Sequence, residues 1–256
     1  MIRLFNSVIR GLVELPKQLR WSYLPPLMVY LAAGVSGLTA IVGTFFIKDY
    51  LNLSAAFLAS LGFWAGLPWA LKMPLGHLVD LIWQHKAYLV WLGAAIIGAS
   101  LLIMHGLIGH TAFMAETMPV ETWFVISVIL GPVGYVIQDV VADAMTVEAV
   151  PEKNRDGTSI AKDQLKIMHT TMQTLGRFAI IGGTVLVSLV NVIMFANVDN
   201  LDDAARIDLY ADIYLYALII PVISVAGVGL ARLQKAYNEA QNQQASQSTS
   251  SRHQRP

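Results

Sequence analysis

The sequence contains no cysteine, which rules out a disulfide framework and any thiolate metal site. Charge is scarce as well. Asp, Glu, Lys and Arg make up 13% of the 256 residues, about half the roughly 25% usual in a soluble domain. The 17 basic and 17 acidic side chains cancel, so the balance gives no reason to expect a nucleic-acid partner. No phosphate-binding loop, nucleophile elbow or zinc motif occurs. His105 and His110 flank one helix end without a third ligand, so no metal site is expected. An enzyme has no residues to stand on here, and no cofactor is expected.

What the chain does have is apolar sequence. Apolar residues reach 55%, too much for one soluble core, and the excess falls in long uncharged runs. These predict an all-α membrane protein with six transmembrane helices. The runs are Leu24 to Ile47, with Pro25 and Pro26 in its first turn, and Leu53 to Leu71, which carries Gly62-x-x-x-Gly66. After a polar hairpin from Lys72 to Lys86 come Ala87 to Gly109, Thr122 to Met145, Leu165 to Phe195 and Ile213 to Ala231. Asn52-Leu53-Ser54 fits a glycosylation sequon, but so close to a membrane it reads as accidental.

Residues 1–20 place Ile2, Phe5, Val8, Ile9, Leu12 and Val13 at helical spacing, flanked by Arg3, Arg10 and Lys17. This reads as an interfacial amphipathic helix. Glu14, Lys17 and Arg20 interrupt the apolar core that a signal peptide would need. Residues 21–235 then form the bundle, and the Gln/Ser-rich residues 236–256 read as a disordered polar tail. With six spans, 14 of the 17 Lys and Arg residues fall on one side. The positive-inside rule makes that side cytoplasmic, so both termini face the cytoplasm of a multi-pass protein of the cell membrane.

The stretch that organises the chain is QDVVADAMTVE, Gln138 to Glu148, which carries Asp139 and Asp143 into an apolar run. A carboxylate at that depth costs a few kcal/mol and calls for a partner or water. Tyr135, Asp139 and Asp143 share one helical face. On the next span His169, Gln173 and Arg177 recur every four residues, and Thr184, Ser188 and Asn191 roughly continue the line. Such a stripe either lines a cavity or serves interhelical hydrogen bonding, and its length favours the cavity. Asp139 and Arg177 are expected to pair, Arg177 leaning across a height offset, with Asp143 nearer the mouth. The pair is either part of a transport path or a permanent packing contact. His169 is either a proton-coupling group or a hydrogen-bonded packing residue.

A second motif is Leu67-Pro-Trp-Ala-Leu-Lys-Met-Pro-Leu-Gly-His-Leu-Val-Asp80. It resembles the P-W-x-x-K-P-x-x-G-x-x-x-D pattern of the folate–biopterin transporter family, in the major facilitator superfamily. Pro68, Trp69, Lys72, Gly76 and Asp80 match in spacing, and Met73 stands where that family carries proline. His85 to Leu89 is similar to a shortened R-R-x-P-Y-L element. Asp139, Asp143 and Glu148 resemble a D-x-x-x-D-x-x-x-E pattern with one extra residue in its last interval. Gly176-Arg177 stands where the family has a fifth-helix arginine. Leu81 replaces the basic residue usual after the loop aspartate.

The resemblance, over about residues 60 to 185, implies the N-terminal bundle of a secondary transporter for a folate- or pterin-like organic anion, with proton coupling one form. It implies a gating loop at Lys72, Gly76, Asp80 and Lys86. Read from the residues alone, Asp80 at a helix C-terminus needs an answering charge, which Lys72 and Lys86 are placed to give. Such carriers have twelve spans in two halves. Six are expected here, so the partners would be the bilayer, a small organic anion and a second six-helix half, either a separate chain or another copy. A non-transporting scaffold and a truncated carrier fragment are the alternatives.

Overall fold

In hydrocarbon every backbone N–H and C=O must be satisfied within its own segment, so long apolar runs become helices. The structure, a computed structural model, describes residues 19–46, 53–82, 85–154 and 157–253. Most of the expected interfacial helix over residues 1–20 lies outside those residues, as does Asn52.

The first helix, α1 (Leu24–Val35), begins with Pro25 and Pro26 in its first turn, where a missing N–H costs nothing. A 3-10 turn at Ser36–Thr39 carries the path into α2 (Ala40–Phe46). Next come α3 (Ala55–Ala70) and α4 (Lys72–Leu81). The Ser54 hydroxyl, part of the apparent sequon, caps α3 by accepting from the Phe57 N–H at 3.2 Å. Then follow α5 (Lys86–Gly109), a short α6 (Thr111–Ala115), α7 (Val120–Ala149) and α8 (Lys162–Phe195). The chain closes with α9 (Asp203–Tyr216), N-capped by Asp202, and α10 (Ile219–His253).

Five helical stretches are long and apolar enough to cross a membrane: Trp21–Thr44, Lys86–Gly109, Val120–Ala149, Lys162–Asn200 and Asp203–Gln241. They coincide with five of the six expected spans. The second expected span differs. Its helix α3 has 16 residues, roughly 24 Å, short of the ~30 Å hydrocarbon core. Pro68 has no N–H to give to the preceding turn, and the helical path is interrupted at Leu71 (φ −85°, ψ 3°). The residues beyond, expected as a polar hairpin, form α4 instead. The polar tail also differs from expectation, because α10 continues unbroken to His253. Residues 236–253 contain no Gly or Pro, and their Ala, Glu and Gln residues are good helix formers.

Small residues set the crossings. On α5 and α7, a Cβ added at Gly93 would lie 2.8 Å from the Gly134 carbonyl oxygen, so the two backbones meet there. The same pair of helices is tied by Ser100 and Ser127, each hydroxyl donating to the other's carbonyl at 2.9 Å, and by Gln138 Nε2 donating to the Val90 carbonyl at 3.2 Å. On α1 and α8, a Cβ at Gly34 would stand 2.2 Å from the Ile180 carbonyl oxygen. Gly62 and Gly66 of the expected packing motif have open space beside them, so no described helix approaches there. The largest apolar core lies at one end of the bundle, around Ile97, Leu107, Phe124, Ile213 and Tyr214. Towards the other end a smaller apolar cluster of Tyr23, Val150, Met168 and Met172 joins the ends of α1, α7 and α8, and the charged residues Lys72, Asp139, Asp143 and Arg177 line a cavity beside these helices.

Candidate functional site

The interruption at Leu71 makes Lys72 the first residue of α4 and points its chain at α7. One turn apart on α7, Asp139 and Asp143 receive it: Lys72 Nζ lies 2.5 Å from Asp139 Oδ2 and 2.8 Å from Asp143 Oδ2. The second oxygen of Asp143 is taken by Tyr30 of α1, whose hydroxyl donates to Oδ1 at 2.5 Å. Tyr30 reaches it because Gly176 leaves room for the ring; a Cβ at Gly176 would stand 2.7 Å from Tyr30 Cε2. Asp139 is the more enclosed carboxylate, its side chain 13% exposed against 49% for Asp143. Burial pulls the Lys72 ammonium down, but the hydrogen bonds and charges of Asp139 and Asp143 outweigh it, and its pKa lies above the ordinary 10.5.

These residues line a cavity of about 840 Å³ between α1, α3, α7 and α8. Tyr135 and Trp69 supply aromatic walls, and Gln173 and Arg177 approach from α8. Arg177 forms no ion pair with a described carboxylate, although it shares the cavity with two. The expected Asp139–Arg177 pair is therefore replaced by Lys72 bridging both aspartates. The reason is geometric. Lys72 enters from α4 level with the two carboxylates, whereas Arg177 had to lean across roughly 7 Å of helix height.

A profile of the BT1 family matches residues 33–162, just over half of the chain. The chain belongs to the BT1 family. The match takes in Lys72, Asp139 and Asp143 and ends before Arg177. A relative described as a folate-biopterin transporter, from Synechocystis sp., is 29% identical over 134 residues. That alignment covers 50% of this chain and 24% of the relative, so the chain spans about a quarter of that protein's length. No solved structure matches. The resemblance read from the two motifs is thus correct at the level of the family.

The other expected site residues of this BT1-family chain fall in different places. His169 is half-buried and does not line the cavity. Thr170, Gln173, Thr174 and Arg177 form the i, i+3, i+4, i+7 face that does, and the four-residue spacing from His169 drifts about 40° per step away from it. Thr184 and Ser188 are exposed and donate to carbonyls of their own helix, at 3.1 Å and 2.9 Å, so the cavity face does not continue through them. Asn191 is buried with its Oδ1 unpartnered. In α4, Gly76 is half-buried and Asp80 exposed. Among the described residues neither lysine forms an ion pair with Asp80: Lys72 is held by the two aspartates, and Lys86 pairs with Glu148.

Sequence reasoning missed Tyr30, Thr170 and Thr174. Tyr30 left one signal, a phenol in an otherwise apolar span, where its hydroxyl needs a partner. His105, considered and set aside as a ligand, has its Nδ1 2.9 Å from the Ala211 carbonyl oxygen and stitches α5 to α9.

Proposed function

We propose that this chain is one bundle of a membrane carrier for a small organic anion of the folate or pterin class, with the Lys72–Asp139–Asp143 cluster and Arg177 as its binding centre. The observation that carries the reading is Arg177, a guanidinium beside a cavity of about 840 Å³ in an apolar bundle, with no described carboxylate paired to it. Such a cation is costly in a membrane unless an anion or water answers it. The volume suits a drug-sized ligand, and Trp69 and Tyr135 offer faces for a flat ring. An arriving carboxylate binds Arg177 and competes with Asp139 for Lys72, which loosens the contact between α4 and α7. That competition provides the two arrangements a carrier needs. Coupling to protons, the form of secondary transport that the family resemblance implies, is part of this reading.

In this reading α3, extended by its flanking residues, is the sixth span, and α4 with Gly76 and Asp80 is the gating segment. The basic ends of the helices face the cytoplasm by the positive-inside rule, as do both termini. A second six-helix half closes the open side of the cavity. The test is uptake of labelled folate and pterin into vesicles holding the chain together with a second half. Gradient-driven flux that disappears in Arg177→Gln is expected. No flux of any organic anion under those conditions would sink the reading.

A further inference from the structure

A second cavity, about 590 Å³, lies apart from the carrier centre, at the end of the bundle where α1 and α5 begin and α7 finishes. Its walls are fixed by two ties. Ser22 Oγ donates to the Ala149 carbonyl at 2.9 Å, and Gln234 Nε2 of α10 donates to the Trp21 carbonyl at 2.7 Å. The mouth carries three cations, Lys86, Arg232 and Lys235, against two carboxylates, Glu148 and Glu239. Lys86 is held by Glu148 and lies within electrostatic reach of Lys235. Arg232 and Lys235, one helical turn apart, form no ion pair with a described carboxylate. The floor is apolar, formed by Pro26, Val141, Met145 and Val228.

An apolar floor beneath unpaired cations fits a ligand that carries an anionic phosphate on a hydrocarbon body. The depth fits too. Trp21, Tyr88 and Tyr237 are exposed at this same end, at 67%, 67% and 64%, where amphipathic rings mark the headgroup level of a bilayer. Basic pockets between spanning helices at that level take anionic lipid headgroups. We infer that this cavity is a binding site for a phosphate-bearing anionic lipid, its phosphate held by Arg232 and Lys235 and its glycerol and upper acyl carbons resting on the floor. A bound lipid would bridge α10 to α1 and α7 at the end opposite the main apolar core. Free inorganic phosphate shares the headgroup chemistry but leaves the floor bare.

Native mass spectrometry of the detergent-solubilised 256-residue chain tests this, with phosphatidylglycerol, phosphatidylcholine and inorganic phosphate titrated separately. Retained phosphatidylglycerol at concentrations where phosphatidylcholine and inorganic phosphate are lost is expected. The R232Q/K235Q variant should bind phosphatidylglycerol roughly 30-fold more weakly, at about fivefold per cation. Arg232→Lys should keep most of the affinity, and Lys153→Gln, outside the cavity, all of it. Equal retention of the two lipids, inorganic phosphate bound as well as phosphatidylglycerol, or full affinity in R232Q/K235Q would each overturn the assignment. The lipid comparison on the unmodified chain decides the matter even where the double variant does not fold.

Discussion

Replacing Lys72 with methionine keeps the length of the side chain and removes the charge that holds Asp139 and Asp143 together. Breaking a fully buried ion pair costs about 3–5 kcal/mol, whereas an exposed pair contributes at most about 1 kcal/mol. Lys72 is 37% exposed, so neither limit applies whole. Its contact with Asp139, 13% exposed, lies nearer the buried limit, and its contact with Asp143, 49% exposed, is discounted towards the surface value. Together these give about 2 kcal/mol, or roughly 5 °C in melting temperature for a chain of this size. The effect should be coupled. With Asp139→Asn and Asp143→Asn already in place, Lys72→Met should cost little, leaving an interaction energy of about 1–2 kcal/mol. Thermal unfolding in detergent of the wild type, the single variant, the double asparagine variant and the triple variant closes the cycle. A neutral Lys72→Met, or costs that simply add across the cycle, would refute the bridging role of Lys72.

The remaining predictions concern helix packing and the titration of Lys72. Gly34→Ala and Gly176→Ala push a Cβ into the Ile180 carbonyl and the Tyr30 ring, and each should lower stability by about 1–3 kcal/mol. Gly62→Ala and Gly66→Ala meet open space, and the same unfolding measurement should find them neutral or stabilising. Ser100→Ala should cost about 0.6 kcal/mol in unfolding equilibria, and adding Ser127→Ala should cost less than a second such increment, because the two hydroxyls serve one contact. The raised pKa of Lys72 means that its pairing contributes in full below pH 10.5 and is lost as pH climbs through the folded value. Alkaline unfolding of the wild type should therefore show a loss in that window that Lys72→Met lacks.

Much of the fold was legible because apolar length is a one-dimensional signal. The spans at Leu24, Ala87, Thr122, Leu165 and Ile213 all appear near their expected positions. The span at Leu53 is matched only by the shorter helix α3, because a hydropathy run does not register what Pro68 does to the helix path. In the tail a polar composition suggests disorder, whereas α10 runs on to His253 through residues that include the helix formers Ala, Glu and Gln. Asp139, Asp143, Gln173, Arg177 and Tyr135 were legible as intramembrane polar residues, and all five line one cavity. Their partners were not. Lys72 was visible as part of a motif, but it reads as a loop residue until the interruption at Leu71 aims it at α7. His169 was drawn in by strict four-residue spacing, which drifts around a helix of 3.6 residues per turn.

The most direct test of the carrier centre is anion binding by the intact chain, with Arg177 as the variable. Titrating the detergent-solubilised protein with folate and with pterin-6-carboxylate, and following the tryptophan fluorescence to which Trp69 in the cavity wall contributes, gives the affinity without requiring transport. Saturable quenching is expected in the wild type and at least tenfold weaker binding in Arg177→Gln, with little change in melting temperature, since Arg177 holds no described carboxylate. Binding that is undiminished in Arg177→Gln, or absent from the folded wild type for every organic anion offered, would contradict the account.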